Sequence, residues 1–414
     1  MAELQASPTH ARPSGIDSGY AWFRLLVTLL IGTIGSVGMW SVVVVLPAVQ
    51  AEFGVARGEA SLPFTLTMIF YGLGGIIMGR ISDRLGVVRP IIAGTLLLAL
   101  GYGLASTTTN LWQFALVHGL VIGVGCSAMF GPLIADVSHW FHRRRGLAVA
   151  IGASGNYLAG TVWPPIVERM TAAAGWRWTY ATIGVVVLCT ILPLTLVLRR
   201  RTPVGHAPPA GSPPAARNIL PPYLSPNTLQ ALLMLAGVAC CVAMSMPQVH
   251  LVAYCADLGY GPARGAEMLS LMLGFGVVSR LASGWIADRI GGFPTLLLGT
   301  VLQALALVLY IPFDGLASLY VISALFGLFQ GGIVPSYAII VRECFSPKEA
   351  GARVGMVLMA TLVGMALGGW LTGVIFDYTG SYQVAFINGI LWNVLNIAIV
   401  LWLMRQPRHA SAYA

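Results

Sequence analysis

Gly79-Arg80-Ile81-Ser82-Asp83-Arg84-Leu85-Gly86 and Gly284-Trp285-Ile286-Ala287-Asp288-Arg289-Ile290-Gly291 are two copies of one pattern, Gly-x-Ile-x-Asp-Arg-x-Gly, and they start 205 residues apart. Each copy follows an apolar run, near 61–79 and near 265–287, that is long enough to cross a bilayer as a helix. A short charged pattern repeated in register at that distance means that two related halves make up the chain.

Composition supports a lipid-embedded body for both halves. Hydrophobic residues make up 57% of the 414 positions and charged residues 9%, with mean hydropathy +0.81. A soluble domain carries about 25% charged residues. Apolar runs recur near 22–48, 61–79, 90–109, 112–137, 146–167, 178–198, 227–256, 265–287, 293–312, 316–341, 351–374 and 382–404. Hydrocarbon offers no partner for backbone N–H and C=O groups, so such runs must satisfy them internally as helices. The expectation is an all-α membrane protein of twelve transmembrane helices in two pseudo-symmetric six-helix bundles.

The charges set the topology. Arg80, Arg84, Arg89, Arg143-Arg144-Arg145, Arg199-Arg200-Arg201, Arg217, Arg289, Arg342 and Lys348 fall on one side, while the other side holds Arg57, Arg169, Arg177 and Arg264. By the positive-inside rule the first set is cytoplasmic, and both termini with it. The net charge of +9 is thereby accounted for by topology and lipid headgroups, with no nucleic acid as partner. The expected organisation is a cytoplasmic tail 1–21, a six-helix bundle 22–198, a Pro-rich cytoplasmic linker 199–226, a second bundle 227–404 and a cytoplasmic tail 405–414. Pro203, Pro208, Pro209, Pro213, Pro214, Pro221 and Pro222 give the linker its character. The first twenty residues, polar with Pro8 and Pro13, do not read as a cleavable signal. The six cysteines lie in or at the ends of apolar runs without CxxC spacing and read as small core residues, not metal ligands.

With the two copies of the motif in the same topological place, the chain resembles the major facilitator superfamily. That resemblance implies alternating access between two rocking halves. Gly79, Asp83, Arg84 and Gly86, with Gly284, Asp288 and Arg289 in the second copy, then act in conformational gating. Glycines allow close helix approach there, and the Asp and Arg residues form charge pairs that close the cytoplasmic face in one conformation.

Other chemistries are not encoded. Lys348 is the single lysine, in Ser346-Pro347-Lys348-Glu349, so no Gly-rich phosphate loop ends in Lys-Ser or Lys-Thr and ATP hydrolysis does not drive this chain. No HExxH, nucleophile elbow or His/Cys cluster is present. The protein is therefore not expected to be an enzyme or to carry a cofactor or metal.

Arg280, in Gly276-Val277-Val278-Ser279-Arg280-Leu281-Ala282, is about 15 residues and roughly 22 Å into its span. An arginine at that depth costs about 2.5–3.5 kcal/mol on insertion scales. A long arginine can also snorkel toward the nearby motif; the functional reading is an anion site, where a planar, permanently charged fork meets a carboxylate. At the 205-residue offset its counterpart is Gly75, so one fixed charge serves both halves, which suits a monoanion. The 14 acidic residues all map to loops or span ends, so a coupling proton is left to the substrate or to histidine. His250, in Met246-Pro247-Gln248-Val249-His250-Leu251, lies about 9 Å from its helix end, and His118 is on the fourth span. Tyr254 shares the His250 face. Asn156, beside Tyr157, and Gln330, before Gly331-Gly332, complete the candidate substrate-binding set. For each of these the alternative is an interhelical packing or hydrogen-bonding role.

Trp140-Phe141-His142-Arg143-Arg144-Arg145-Gly146-Leu147-Ala148, Asp17-Ser18-Gly19-Tyr20-Ala21-Trp22 and Arg280 together resemble the monocarboxylate transporters and their bacterial oxalate/formate-antiporter-like relatives over the whole chain. The resemblance implies that Arg280 binds substrate carboxylate and that His250 helps to line the cavity. Three departures bear on coupling. Gly276 stands where animal monocarboxylate transporters carry an Asp, Trp40 is near the place of their first-span Lys, and Thr361-Leu362-Val363-Gly364 is neutral where the oxalate exchanger type carries a Lys. The expected function is secondary transport of small monocarboxylates of the lactate, pyruvate or related 2-oxo and hydroxy acid type, by symport or antiport, with protons as the candidate coupling ion. The protein is expected to work as a monomer in a bacterial inner membrane. An organic-anion exchanger or drug exporter of the same superfamily is the alternative. A non-transporting membrane sensor is less expected, since no output domain is appended.

Overall fold

The computed structural model describes residues 15–200 and 224–406. The expected linker and both tails lie largely outside the described residues. Every regular element among those residues is helical. Eleven segments are long and apolar enough to cross a membrane. One of them, the 51-residue Arg145–Thr195, is broken at Gly175, where φ 81° and ψ 159° suit a residue without a Cβ. The break makes it two spans and the total twelve. In chain order they are α1 Gly19–Phe53, α2 Arg57–Leu85, α3 Val88–Ser106, α4 Leu111–Trp140, α5 145–174, α6 176–195, α7 Pro226–Asp257, α8 Pro262–Ile290, α9 Gly292–Leu309, α10 Leu316–Cys344, α11 Glu349–Thr379 and α12 Tyr382–Arg405.

Local sequence sets many of the ends. Ser225 caps α7 through Thr228 N, with Pro226 at the first helical turn, and Asn110 caps α4 by accepting from Gln113 N. Large apolar side chains such as Leu26, Leu30, Ile76, Ile77, Leu100 and Val185 point outward, as expected of a bundle bathed in lipid. Five cysteines are buried and Cys189 is exposed.

The repeated motif is not a loop. Helix α2 runs through Gly79 to Leu85 and α8 through Gly284 to Ile290, because nothing in either stretch breaks a helix and Arg84 and Arg289 suit the C-terminal dipole. Each helix stops at the motif's last glycine with nearly the same backbone, φ 80° and ψ 167° at Gly86 and φ 86° and ψ 171° at Gly291. Glycines 79 and 284 do not bring helices together in this conformation, since a Cβ at either would meet nothing within 4 Å.

The halves are held together at the end opposite the motifs. The main apolar core draws residues from both halves. Toward the motif end it divides, with a separate cluster around Trp140, Phe141 and Ala148 in the first half and another around Leu229, Cys344, Phe345 and Leu403 in the second. Helix contacts follow the same gradient. Gly373 of α11 packs on Gly58, Gly369 on Phe64 and Gly72 of α2 on Met359, but Gly75 and Gly79 on α2, and Gly351 and Gly355 on α11, face open space. The bundle is closed at the far end and parted at the motif end.

Candidate substrate site

A cavity of about 210 Å³ lies where the halves begin to part. Arg280 of α8, Asn156 and Tyr157 of α5, Tyr71 of α2, Gln248 of α7 and Trp40 of α1 bring polar atoms to it. The same 205-residue offset that relates the motifs also relates pairs of lining residues: Met39 with Met244, Asn156 with Thr361, and Tyr157 with Leu362. The cavity is thus built on the pseudo-twofold relation, and Arg280 breaks it.

Helix breaks fix the position of Arg280. Ser154 interrupts α5, and the carbonyl of Ala153 just before it accepts from Arg280 Nη1 at 3.0 Å. Gly331 and Gly332 interrupt α10, and the Gly331 carbonyl accepts from Nε at 3.5 Å. The guanidinium carbon stands 4.3 Å from the centroid of the Tyr157 ring, a cation–π distance. No carboxylate pairs with Arg280 among the described residues. Main-chain dipoles and an aromatic face hold the cation without neutralising it. Its charge has no acidic counterpart in the cavity lining among the described residues.

Around it, Trp40 Nε1 donates to the Asn156 carbonyl at 3.1 Å and to Asn156 Oδ1 at 3.2 Å, so the Asn156 amide is turned with its oxygen engaged. Gln248 Nε2 donates to Gln330 Oε1 at 2.9 Å. Gln330 is fully buried behind Gln248 and supports the wall without reaching the cavity.

The other expected site residues lie elsewhere. His118 is fully buried, with Nδ1 2.8 Å from Thr67 Oγ1 and Nε2 3.2 Å from Tyr180 OH. Both ring nitrogens serve packing between α2, α4 and α6. His250 is 2.7 Å from the Gly369 carbonyl through Nε2 and sits with Tyr254 near Tyr382, beyond the cavity toward the far end. Of the expected substrate-binding residues, then, the structure brings Arg280 and Asn156 together, sets Gln330 one shell out, and leaves His118, His250 and Tyr254 apart.

The far end carries a second set of polar contacts, all between halves. Asp377 at the end of α11 accepts from the backbone N–H groups of Arg57 and Gly58 at 2.8 and 2.7 Å, capping the start of α2. The Arg57 side chain, 6% exposed, inserts among second-half residues, paired with Asp257 at 3.1 Å and hydrogen-bonded to Tyr382 OH. Ser270 of α8 bonds the Thr161 carbonyl of α5. At the motif end, Asp83, Arg84 and Asp288 are exposed and take part in none of the ion pairs among the described residues, and Arg289 stacks on Trp285.

Tyr71, Met39 and Met244 carry no signal of their own in the sequence, because a Met or Tyr inside an apolar run gives no contrast. The repeat offset was the available signal: applied to Asn156 and Met39 it points to Thr361 and Met244.

Twelve helices in two related halves around a central cavity are the architecture of repeat-built membrane transporters. The sequence profile of the Major Facilitator Superfamily matches residues 28–322 and 294–413, and the chain belongs to that superfamily. It is 29% identical to Monocarboxylate transporter 13 of Bos taurus over 90% of this chain and 86% of that one, and 26% identical to the MFS transporter asaE of Aspergillus flavus over 77% and 71%. A crystal structure of a bacterial homolog to the human lysosomal transporter Spinster, described as inward-facing and occupied, superposes with TM-score 0.75 at 14% identity, covering 95% of this chain and all of that one.

Proposed function

We propose that this transporter carries small organic monocarboxylates of the 2-oxo or 2-hydroxy acid type across the membrane by alternating access. The observation that carries the reading is Arg280, held at the central cavity by two main-chain carbonyls and without a carboxylate partner. The likeness to Monocarboxylate transporter 13 supports it. On this reading the halves 22–198 and 227–404 rock about the cavity as a monomer, joined by the segment 199–226, with the motif end and both termini facing the cytoplasm of a bacterial cell. Asp, Glu and His are missing from the cavity lining among the described residues, which favours a coupling proton that rides on the substrate carboxylate over one held by the protein. Nothing in this geometry assigns His250 a proton-carrying role.

In proteoliposomes, Arg280→Gln is expected to lower carboxylate affinity about ten- to hundredfold, the value of one charge-assisted hydrogen-bonded contact. Uptake that is unaffected by the substitution would overturn the anion site. Uptake that ignores an imposed pH gradient while counterflow persists would assign exchange in place of proton symport. The apolar remainder of the cavity favours a second reading, an exporter of larger amphipathic organic anions, and competition by such anions against labelled pyruvate tests it.

A further inference from the structure

We infer that the site selects monocarboxylates with a bulky apolar body, aromatic or branched, over three-carbon acids such as lactate; this rests on the carboxylate reading and narrows it. Several of the polar groups that reach the cavity besides Arg280 are already engaged. Trp40 Nε1 and Asn156 Oδ1 bond each other, Gln248 Nε2 is held by Gln330, and Thr361 Oγ1 bonds the Leu358 carbonyl at 2.7 Å. Apart from these groups and the Tyr71 and Tyr157 hydroxyls, the cavity wall is soft and apolar. Met39 of α1, Met68 of α2, Met244 of α7 and Met365 of α11 come from four helices, two in each half, and Phe130 and Leu362 also line the cavity.

Two physical points follow from that wall. Unbranched thioethers have three rotatable bonds and a polarisable sulfur, so they fit irregular bodies and make favourable contacts with aromatic ring edges. A hydroxy acid of three carbons would engage Arg280 but offer a single methyl group to this wall, leaving most of it wet or empty. An aryl or branched side chain would cover it, and its selectivity would come from apolar area and not from further hydrogen bonds. The pairing of Met39 with Met244 across the repeat sets one sulfur on each half. The body of the substrate is thus gripped by both halves, while its carboxylate is gripped by the second half through Arg280.

The test is competition against a bound aryl acid, read in proteoliposomes and by thermal shift on the full chain. Phenylpyruvate, 3-phenyllactate and 4-methyl-2-oxopentanoate are compared with pyruvate and lactate, and with 2-phenylethanol as an aryl compound lacking the carboxylate. The aryl and branched acids are expected to bind about tenfold or more tightly than the three-carbon acids. Arg280→Gln is expected to weaken the binding of every acid about ten- to hundredfold. Met244→Gln is expected to erase the preference while Met244→Leu retains it, which separates a lost wall from a lost fold. Equal affinity for pyruvate and phenylpyruvate, still dependent on Arg280, would overturn this inference and leave the carboxylate reading standing. Binding of 2-phenylethanol as tight as that of phenylpyruvate, unchanged by Arg280→Gln, would overturn both.

Discussion

Gly276 shows how one residue reshapes the chemistry of the site. It stands one turn before Arg280, where the resemblance to animal monocarboxylate transporters leads one to look for an aspartate. A Cβ built at this position would lie 2.4 Å from Tyr157 Cε1 and 2.5 Å from Cδ1, far inside van der Waals contact. The glycine therefore makes room for the Tyr157 ring, and the ring in turn covers the Arg280 guanidinium. An aspartate and this tyrosine cannot occupy the same arrangement. Gly276→Asp is expected to lower stability by about 1–3 kcal/mol through overpacking, and Tyr157→Ala in the same chain is expected to restore most of it. Thermal melting of the two variants in detergent decides the point; a Gly276→Asp protein that melts with the wild type would mean that the ring moves aside freely. At this scale the sequence was legible where polarity contrasts with its surroundings. Arg280 stands out in an apolar run, whereas Tyr71 and Met244 do not. The histidines stand out equally, but their partners, Thr67 and Tyr180 for His118 and the Gly369 carbonyl for His250, are distant in sequence. Polarity alone could not tell a satisfied histidine from a ligand.

Among the elements, α1, α4 and α6 of the first half are tied at the motif end by a single buried arginine. Arg24, 1% exposed, grips Asp136 with two bonds, Nε to Oδ2 at 2.7 Å and Nη2 to Oδ1 at 2.8 Å. It also donates to the carbonyls of Val197, Leu198 and Arg200 just beyond α6 and stands over the Trp140 ring. The bidentate geometry satisfies the carboxylate, and the carbonyls use the remaining donors, so the pair can stay buried. Removing one partner leaves an uncompensated charge, at about 3–5 kcal/mol, while replacing both with apolar groups is far milder. Arg24→Met is accordingly expected to melt well below wild type and Arg24→Met/Asp136→Leu to recover much of the loss; a double variant as unstable as the single one would show that the carbonyl bonds, not the ion pair, carry the tie. The spans themselves were readable from hydropathy, but their ends were not. Helices α2 and α8 continue through the charged motif because a helix does not need hydrocarbon to persist, only the absence of a breaker, and Gly86 and Gly291 supply the break. The Pro-rich join that composition leads one to expect between the halves falls mostly outside the described residues.

For the whole molecule, the two ends are in opposite conditions, and that gives a prediction about the balance of states. Every polar contact of the far-end set joins one half to the other, with the Asp377 carboxylate seated on the first N–H groups of α2 and Arg57 buried against Asp257 and Tyr382. At the motif end the Asp-Arg pairs stand open and the apolar core is split between halves. A rocking motion about the cavity would exchange these conditions, breaking the Asp377 cap while bringing the two motifs' ends together. Asp377→Ala removes a charged acceptor from a helix N-terminus and is expected to cost the far-end-closed state about 1–2 kcal/mol, a five- to thirtyfold shift in the ratio of states. Nitroxide labels can read it in a Cys189→Ser background, placed in one experiment at Ala51 and Asp314 on the far end and in another at Leu85 and Ile290, which are themselves related by the 205-residue offset. With Asp377→Ala the far-end distances should lengthen and the motif-end distances shorten together. If Asp83 pairs across the motif end when that end closes, Asp83→Asn should move both in the opposite sense. Superimposable distance distributions in all three proteins would mean that neither carboxylate biases the rocking equilibrium, and that the apolar core shared by the halves governs it instead.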